Sequence, residues 1–589
     1  MQAGTQQPPL GPGLRAGRVS RQGPRGVRLF LGAASVLALV LVPAACTAHS
    51  GRSGAGTTSG GGDLSRHRGG TLTVDSSSAY GTMDPQISYD VQPWQIAQGV
   101  YDGLVAFKKV NGEASNEVVP DLATTLPTVS KDGLTYTFTL RTGIKFSNGQ
   151  SLRTDDVVAS LRRIYKASGP TAGTFFQYIV GATECLNKPS TCTLPGVSAD
   201  ARANTVTIRL TQADSEFLYK LATPHASILP AATPDVDQGI KPIPGTGAYL
   251  ISAYDPNTHL VMQRNPYFHQ WSADSQPDGY PDKIYYRYGL TVEAEVTQVE
   301  QGQADWVDDP IPADRLNELG TKYASQVHIN PLPAMWYLPL NVTIAPFNNV
   351  LARQAVEWAV DRSAVVQQYG GTNLATPLCT VLPPNYPAHV DYCAYTKGGD
   401  TTWSAPDMAK ARDLVQQSGT AGQSVSLVVS NDEKNLAIGN YLVSVLNQMG
   451  YQAKLKPLSS NIQFNYIQNT KNHVQISLTG WYEDYPAPSD FLNVLLSCAS
   501  FHPGSDSSPN VGGFCDRSFD ASMNRALGME QSDPAGARTL WGQLDRDAMR
   551  QAALVPLFTP KNVDLISART GNYLFTNEYY LLPYLMWVK

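Results

Sequence analysis

The stretch of sequence that organises the chain is Gly480–Phe491, which reads Gly-Trp-Tyr-Glu-Asp-Tyr-Pro-Ala-Pro-Ser-Asp-Phe. Just before it, Val474, Ile476 and Leu478 alternate with polar residues, a two-residue period typical of a half-buried β-strand. This strand is therefore expected to end in a loop that begins at Gly480. The two prolines of the stretch stiffen the exit of the loop and delay the start of the next helix.

The side chains of this predicted loop suit a small ligand site. Gly480 leaves room for another backbone to approach closely. Trp481 and Tyr482 offer large, rigid contact surfaces with polar tips, and Asp484 can bind an ammonium group where water is excluded. The alternative is a structural turn, in which Trp481 packs into the core and Asp484 accepts hydrogen bonds from its own loop.

Length and composition predict a globular protein of several domains. The chain has 589 residues, more than one ordinary core needs, so two or three domains are expected. A hydrophobic content of 42% with 9% aromatic residues is typical of a folded chain. The net charge is only −5, from 44 basic and 49 acidic residues. This balance argues against a nucleic-acid partner, which requires a basic domain.

The amino-terminal region has the pattern of an export signal. Met1–Arg28 is rich in arginine, and Leu29–Val42 is continuously small or apolar but too short to span a membrane as a helix. Pro43-Ala44-Ala45-Cys46 resembles a bacterial lipoprotein cleavage site, after which Cys46 would be the acylated first residue. An ordinary cleavage site followed by a spare cysteine is the alternative. Residues 47–70 are rich in Ser, Gly and Thr and are predicted to be a flexible tether.

The six cysteines after Cys46 fall into three close pairs along the sequence. An even number of cysteines in an exported chain predicts disulfides. Metal ligation is disfavoured, because no Cys-x-x-Cys occurs and no histidines cluster beside the cysteines, and we predict no metal site. The expected disulfides are Cys185–Cys192, Cys379–Cys393 and Cys498–Cys515.

Regular alternation marks a strand in the first half of the chain. Asp132-Gly133 provides turn chemistry, and Tyr136, Phe138 and Leu140 then alternate with threonines. Further along, Asp305, Asp308 and Asp309 could suggest a cation site, but we expect a solvated acidic loop.

The second half alternates strands and helices. Helices are predicted over 351–369, 433–449 and 521–552, and strands over 425–430 and 451–458. The order strand–helix–strand predicts a βαβ unit. Since open α/β sheets bind ligands at the ends of their strands, the segment that begins at Gly480 is well placed to contact a ligand.

Catalytic motifs are missing from the sequence. It contains no Gly-x-Ser-x-Gly, no His-Glu-x-x-His and no phosphate loop ending in Gly-Lys-Ser/Thr. We therefore predict no catalytic residues and no enzyme. An exported hydrolase whose residues meet only in the folded protein stays the alternative.

Several blocks in fixed order resemble the extracellular solute-binding proteins of family 5, the oligopeptide- and dipeptide-binding components of ABC importers. The resemblance covers the chain from Gly69 to its carboxyl end. The matching blocks are Gly-Gly-Thr-Leu at 69–72, Met83-Asp84-Pro85, Tyr101-Asp102-Gly103-Leu104, the run from Asp132 to Arg141, Pro244–Tyr249, Arg353-Gln354-Ala355 and Gly480-Trp481-x-x-Asp484.

The resemblance implies an α/β fold of the periplasmic-binding-protein type (type II, cluster C), with two lobes and an extra subdomain in the first. Lobe I is expected at 71–330, with its subdomain at about 106–240. Lobe II is expected at 331–555, and 556–589 is expected to return to lobe I.

The resemblance also implies a function. Such a protein captures a peptide between its closing lobes and delivers it to a membrane permease, while separate ATPase subunits hydrolyse ATP. We expect a monomer without a cofactor, held by a lipid anchor on the extracytoplasmic face of the bacterial cell membrane. The same fold binding an oligosaccharide, a nickel complex or an opine is an alternative, and a signalling lipoprotein is another.

The ligand contacts implied by the resemblance lie mainly in the opening stretch. In the peptide-binding relatives, the residue matching Asp484 holds the α-amino group of the ligand, and the residues matching Gly480 and Trp481 pair with its backbone. We add Tyr482 from the same stretch. Further predicted contacts are Asn341 from lobe II and, as walls of the cleft, Phe176 and Tyr178, for which core packing is the alternative.

Overall fold

The computed structural model describes residues 66–79, 81–384, 386–399, 401–505, 508–530 and 532–589, apart from the side chains of 460 and 461. The predicted signal peptide, the lipidation site Cys46 and most of the predicted tether lie outside the described residues.

The strands follow one another along the whole described chain. They are β1 (Thr71–Ser76), β2 (Val105–Phe107), β3 (Val118–Pro120), β4 (Thr128–Val129), β5 (Thr135–Thr139), β6 (Val197–Asp200), β7 (Thr205–Arg209), β8 (Tyr249–Asp255), β9 (His259–Arg264), β10 (Lys283–Tyr288), β11 (Trp306–Val307), β12 (Val327–Pro331), β13 (Ala334–Pro339), β14 (Ala375–Pro377), β15 (Ser424–Ser430), β16 (Gln452–Leu458), β17 (Ile476–Ser477), β18 (Thr479–Tyr482), β19 (Leu554–Leu565), β20 (Thr570–Gly571), β21 (Phe575–Thr576), β22 (Tyr580–Leu581) and β23 (Trp587–Val588).

The α-helices are concentrated in the second half of the chain. They are α1 (Val91–Val100), α2 (Thr154–Lys166), α3 (Ala182–Asn187), α4 (Phe217–Leu221), α5 (Val292–Glu300), α6 (Leu316–Lys322), α7 (Val350–Ala359), α8 (Arg362–Tyr369), α9 (Met408–Gln417), α10 (Glu433–Met449), α11 (Ser460–Gln468), α12 (Pro488–Leu496), α13 (Arg517–Met529) and α14 (Pro534–Arg550).

The first half of the chain builds two larger sheets and the two-stranded pair β2–β3 over one core. The larger is a mixed sheet in the order β11-β1-β10-β9-β8, in which β1 runs parallel to β10 and β11. The smaller is antiparallel, in the order β4-β5-β7-β6, and contains the strand predicted from the alternation of Tyr136, Phe138 and Leu140. All three of these side chains are buried, as a strand with one face in the core requires.

The second half has its own sheets and its own cores. Strands β15 and β16 are parallel and are joined through α10, which is the predicted βαβ unit. Beside it lies an antiparallel sheet in the order β12-β19-β13-β18, with β14 also paired to β19. Strand β18 is an edge strand of this sheet.

Two pieces of backbone connect the halves. The chain first crosses through β12 and β13, and it returns along the twelve-residue strand β19, which pairs with β13 near its start and with β12 near its end. The predicted boundary between 555 and 556 therefore falls inside a continuous strand. The tail that follows β19 packs on the first sheet, where Tyr584 contacts Gly99 and Tyr249. The exact lobe limits stay a prediction.

Two long predicted helices are each divided in the structure. The helix predicted over 351–369 is α7 and α8, because the Asp361 carboxylate accepts hydrogen bonds from the backbone N–H groups of Ser363 and Ala364 and starts a second helix. The helix predicted over 521–552 is α13 and α14. Here Asp533 caps the new helix and Pro534 occupies its first position.

All three predicted disulfides are confirmed. The structure joins Cys185 to Cys192, Cys379 to Cys393 and Cys498 to Cys515. Each bond closes a short loop within one half of the molecule, and none of the three connects the halves.

The prediction of a solvated acidic loop is wrong, because Asp305 and Asp309 are buried and Asp308 is half-buried. Asp305 pairs with Arg569 at 2.6 Å, Asp308 accepts a hydrogen bond from Gln92, and Asp309 accepts one from the backbone N–H of Ser77. Burial is affordable here because each carboxylate has hydrogen-bond donors. In the described part of the chain, no group of side chains is arranged to hold a metal ion.

Among the described helices, we find none with the length and apolar content that crossing a lipid bilayer requires.

Candidate functional site

Strand β18 carries Gly480, Trp481 and Tyr482, so the prediction that these residues form a loop is wrong. The strand pairs antiparallel with β13, with Gly480 directly opposite Trp336. A Cβ atom on Gly480 would lie 3.2 Å from the indole ring of Trp336. The space left by the missing side chain is therefore used by the protein's own tryptophan.

The two aromatic residues of β18 differ in their surroundings. Trp481 packs against the core of the second half, opposite Met335. Core packing was the structural alternative for this tryptophan. Tyr482 is 40% exposed, and its hydroxyl oxygen accepts a hydrogen bond of 3.4 Å from the indole N–H of Trp336. Of the two, Tyr482 is the one whose ring is available to a ligand.

Asp484 lies where the two halves of the molecule meet. Its Oδ1 accepts a hydrogen bond of 2.6 Å from the hydroxyl of Tyr89, which precedes α1 in the first half. Its backbone N–H donates to Oδ2 of Asp490 at 2.9 Å, which holds the turn after β18 in place. The carboxylate of Asp484 thus contacts the first half while its backbone is fixed in the second.

The segment that follows Asp484 inserts into the first half. Tyr485 and Ala487 are buried in the core of that half rather than in their own. The hydroxyl of Tyr485 donates to Glu216 Oε2 at 3.3 Å, and the hydroxyl of Ser489 donates to the other carboxylate oxygen. Glu216 therefore connects the subdomain of the first half to the second half.

The electrostatics of this junction favour positive charge. Burial raises the pKa of Asp484 to about 6, although the hydrogen bond from Tyr89 opposes that shift. Burial also raises the pKa of Glu216 to about 7, against the lowering effect of Lys220. Burial raises the pKa of Asp490 well above its usual value, and the Asp484 charge adds to the shift. A cation brought to Asp484 would stabilise its ionised form in surroundings of low dielectric constant.

Two of the predicted contacts take core positions instead. Phe176 is fully buried inside the first half, so core packing, the alternative reading, applies to it. Asn341 is buried as well, and its side-chain amide donates to the carbonyl of Val474 while its oxygen accepts from Thr343. Three hydrogen bonds thus hold the side chain of Asn341 inside the second half.

Tyr178 is partly exposed and lies near Lys220. Burial lowers the pKa of Lys220, but Asp214, Glu216 and, to a smaller extent, Tyr178 raise it. The residue of the same segment that touches the junction is Phe175, whose ring centre lies 5.6 Å from that of Tyr485.

Sequence reasoning missed several residues of the junction. Glu483 and Asp490 lie in the quoted stretch itself, and their acidity beside Asp484 was a usable signal. Tyr89, Glu216 and Trp336 come from distant parts of the chain, and no local pattern distinguishes them.

A cavity of about 480 Å³ lies beside the inserted segment and is lined by Tyr219, Pro486–Pro488, Arg538 and Trp541, among others. It is not lined by Gly480, Trp481, Tyr482 or Asp484. The cavity is therefore separate from the site that these four residues form.

Comparison with known proteins gives a consistent result. Residues 117–502 match the family model described as bacterial extracellular solute-binding proteins, family 5 middle. The periplasmic oligopeptide-binding protein OppA of Escherichia coli (strain K12) is 25% identical over 528 residues, which are 85% of this chain and 89% of OppA. The glutathione-binding protein GsiB of Salmonella choleraesuis (strain SC-B67) is 25% identical over 511 residues, 85% of this chain and 90% of GsiB.

A solved structure, that of clavulanic acid biosynthesis oligopeptide binding protein 2, superimposes with a TM-score of 0.80. It shares 24% identity, and the match covers 89% of this chain and 96% of that protein. This likeness confirms the predicted two-lobed α/β fold. The relatives named here are binding proteins rather than enzymes.

Proposed function

The chain belongs to the bacterial extracellular solute-binding proteins of family 5, and from this premise we propose that it captures peptides with a free amino terminus for an ABC importer. The peptide is enclosed between the two lobes, and its α-ammonium group binds the carboxylate of Asp484. A permease then receives the peptide, and separate ATPase subunits supply the energy.

The observation that carries this proposal is the position of Asp484. Its carboxylate lies at the junction of the lobes, is bonded by one neutral hydroxyl, that of Tyr89, and takes part in no salt bridge among the described residues. Asp484 is half-buried, so its carboxylate has lost part of its hydration without gaining a cation in return. An ammonium group from a ligand would supply the missing charge and a charge-assisted hydrogen bond.

The edge of the antiparallel sheet supports a peptide ligand in particular. Strand β18 pairs with β13 on one side, and no other described strand pairs with it. Its free edge can accept an extended peptide as an additional strand, so that main-chain hydrogen bonds give affinity without a preference for sequence. Gly480 and Tyr482 would contribute to this edge, with Tyr482 presenting its exposed ring.

Native mass spectrometry of the full-length protein, purified without denaturation from an exporting host, tests the ligand class. We expect a mixture of short peptides to be released. A released sugar or metal complex would keep the importer role but contradict Asp484 as an amine anchor.

A matched pair of peptides sharpens the result. Binding of Ala-Ala-Ala and of its N-acetylated form is compared by titration calorimetry. Because acetylation removes the positive charge that Asp484 pairs with, we expect the acetylated peptide to bind at least about 30-fold more weakly, the cost of a lost buried charge pair. Equal affinities would contradict the proposal, and cleavage of the free peptide during the titration would favour the hydrolase alternative.

We propose further that Cys46 is acylated and anchors a monomeric protein to the membrane. A Cys46→Ser variant is then expected in the medium or the soluble extract, while the unmodified chain stays with the membrane. An identical distribution of the two would contradict the anchor.

A further inference from the structure

Two glutamates from opposite lobes meet beside the Asp484 site. Glu483 follows the last residue of β18, and Glu578 lies in the turn of the hairpin formed by β21 and β22. The backbone N–H of Glu483 donates to the carbonyl of Pro333 at 3.1 Å, and the hairpin packs through Phe575 and Tyr580 against Leu332 and Ala334, on either side of that proline. The charge of Glu578 accordingly raises the pKa of Glu483, an effect second only to that of burial. Neither residue was recognised from the sequence.

The carboxylates of these glutamates lack partners. All four oxygens are inaccessible to solvent, and none accepts a hydrogen bond from a described residue. The nearby hydroxyls of Tyr386 and Ser115 oppose the rise in the pKa values of Glu483 and Glu578. Each hydroxyl nevertheless donates to backbone carbonyls, and Tyr386 donates to those of Tyr485 and Ala487, at 2.9 and 3.2 Å. Ser115 donates to the carbonyl of Gly112 at 2.7 Å.

The rest of the surroundings adds negative rather than positive charge. Asp490 is fully buried close to Glu483, and its Oδ1 also accepts no hydrogen bond from a described residue. No described lysine or arginine forms a salt bridge with Glu483, Asp490 or Glu578. Two neighbouring carboxylates are stable together only with a cation beside them or with bound protons.

We propose that Glu483 and Glu578 form a second cation subsite, which binds the side chain of a lysine or arginine at the first position of the peptide. This inference rests on the proposed function, in which Asp484 binds the α-ammonium of the same residue. The α-ammonium group and the side-chain cation of such a ligand belong to one residue. The acidic residues proposed to bind them, Asp484 and Glu483, are neighbours in the chain. Tyr580 is close enough to both glutamates for their charges to raise its pKa, after the effects of burial and of Tyr482, and its ring can assist by a cation–π contact.

Two peptides that differ only in the terminal charge of the first side chain test the subsite. Lys-Ala-Ala and norleucine-Ala-Ala have similar length and apolar content, and their affinities are compared by titration calorimetry at neutral pH. We expect the full-length protein to prefer Lys-Ala-Ala by at least about tenfold, because the pairing with both glutamates is lost in the neutral analogue.

Isosteric variants assign the preference to these residues. In Glu483→Gln and Glu578→Gln the preference for Lys-Ala-Ala should fall to less than about threefold, while norleucine-Ala-Ala should bind as before. Glu184→Gln, on the exposed surface of α3, is the control and should keep the full preference. Thermal unfolding of each variant verifies that it is folded.

The outcomes separate this inference from the proposed function. If both peptides bind equally, or if the preference survives in both glutamine variants, the subsite is refuted and the proposed function stands. If Glu483→Gln raises the melting temperature of the ligand-free protein and leaves the preference unchanged, the glutamates share protons instead and the subsite is refuted. If neither free peptide binds, the proposed function fails and the subsite fails with it.

Discussion

Two groups of charged side chains in this protein, one buried and one half-buried, are built in opposite ways. In the first lobe, the guanidinium group of Arg163 binds both carboxylate oxygens of Asp84, at 3.1 and 2.5 Å. Its remaining N–H groups donate to Gln86 and to the carbonyls of Pro234 and Val236. At the junction of the lobes, Glu483, Asp484 and Glu578 are half-buried and form no salt bridge with a described residue.

The contrast separates structural charges from functional ones. A buried ion pair with every hydrogen bond satisfied recovers much of its desolvation cost within the folded chain. A group of half-buried carboxylates without a cation does not, so the cost of its desolvation has to be recovered elsewhere. In a binding protein, a cationic ligand is a direct way to recover it.

The largest expected effect comes from breaking the Arg163–Asp84 ion pair, in which each charge has a partner. Arg163→Leu leaves Asp84 buried without its cation, and we expect a loss of about 3–5 kcal/mol in the free energy of unfolding. Urea denaturation of the ligand-free protein measures it. The neighbouring Arg162→Leu is the control and should change stability by less than about 0.5 kcal/mol. Equal effects of the two substitutions would remove the basis of the comparison.

A substitution in the unmatched group, the carboxylates of Glu483, Asp484 and Glu578 that have no cation, should act on binding instead. We expect Asp484→Asn to weaken the binding of a free-amino peptide by about 2–5 kcal/mol, because the ammonium loses its buried partner. The stability of the ligand-free protein should not fall, since a buried negative charge is removed. Titration calorimetry and thermal unfolding measure the two quantities. Asp391→Asn, at an exposed position, is the control; unchanged binding in Asp484→Asn would refute its assigned role.

Acidification sharpens the contrast, because it should weaken binding and strengthen the ligand-free fold. Protonation of Asp484 as the pH falls through about 6 removes the charge proposed to bind the ammonium group, so affinity should fall by up to about tenfold per pH unit below that value. The charged and titratable groups around it are Tyr89, Glu483 and Asp490.

The free energy of unfolding should depend on pH in the opposite direction to peptide affinity. The pKa of Asp484 is raised on folding, to about 6, so its contribution to stability is present at low pH and is lost as the pH rises through about 6. The pKa values of Glu216 and Glu578 are raised in the same direction, each to about 7. Calorimetry and thermal unfolding between about pH 5 and pH 8 should show opposite slopes, and Asp484→Asn should flatten the slope of binding. Parallel slopes would contradict the model of an unmatched group.

The smallest expected effect concerns the hydroxyl that bridges the lobes at Asp484. Tyr89→Phe removes one hydrogen bond to a charged group, and we expect peptide affinity to change by no more than about 1–2 kcal/mol. The sign reports whether the hydroxyl orients Asp484 or competes with the ligand for it. Tyr254→Phe, which removes a hydroxyl donating to the carbonyl of Gly81, is a control away from the junction. A loss as large as that in Asp484→Asn would mean that Tyr89, rather than the ligand, is the main partner of the carboxylate.

Local patterns were enough to predict much of the fold. The alternation around Phe138, the βαβ unit and the neighbouring pairs of cysteines all depend on residues close in sequence, and the structure contains each of them. The divided helices were missed because a single side chain decides each break. Asp361 and Asp533 stop one helix and start another by capping, which outweighs an otherwise continuous apolar pattern.

The site was harder to predict, because it is assembled from distant segments. Asp484 was found through its resemblance and its neighbours in the chain, whereas Tyr89 lies 395 positions away from it. Gly480 was read as space for a ligand backbone, and only the register of β13 against β18 shows that Trp336 fills that space. Burial and pairing of side chains from separate lobes leave no periodic mark in the sequence.

The order in which the disulfides join the cysteines also has a consequence for biosynthesis. Among the six cysteines that pair, each bonds with the next one along the chain: 185 with 192, 379 with 393, and 498 with 515. A chain that emerges from a membrane channel amino terminus first would expose each partner within at most 17 residues of the other. With the thiol of Cys46 blocked by the proposed acylation, oxidation in the order of emergence would then yield only native bonds, and maturation of this protein would need no enzyme that reshuffles disulfides.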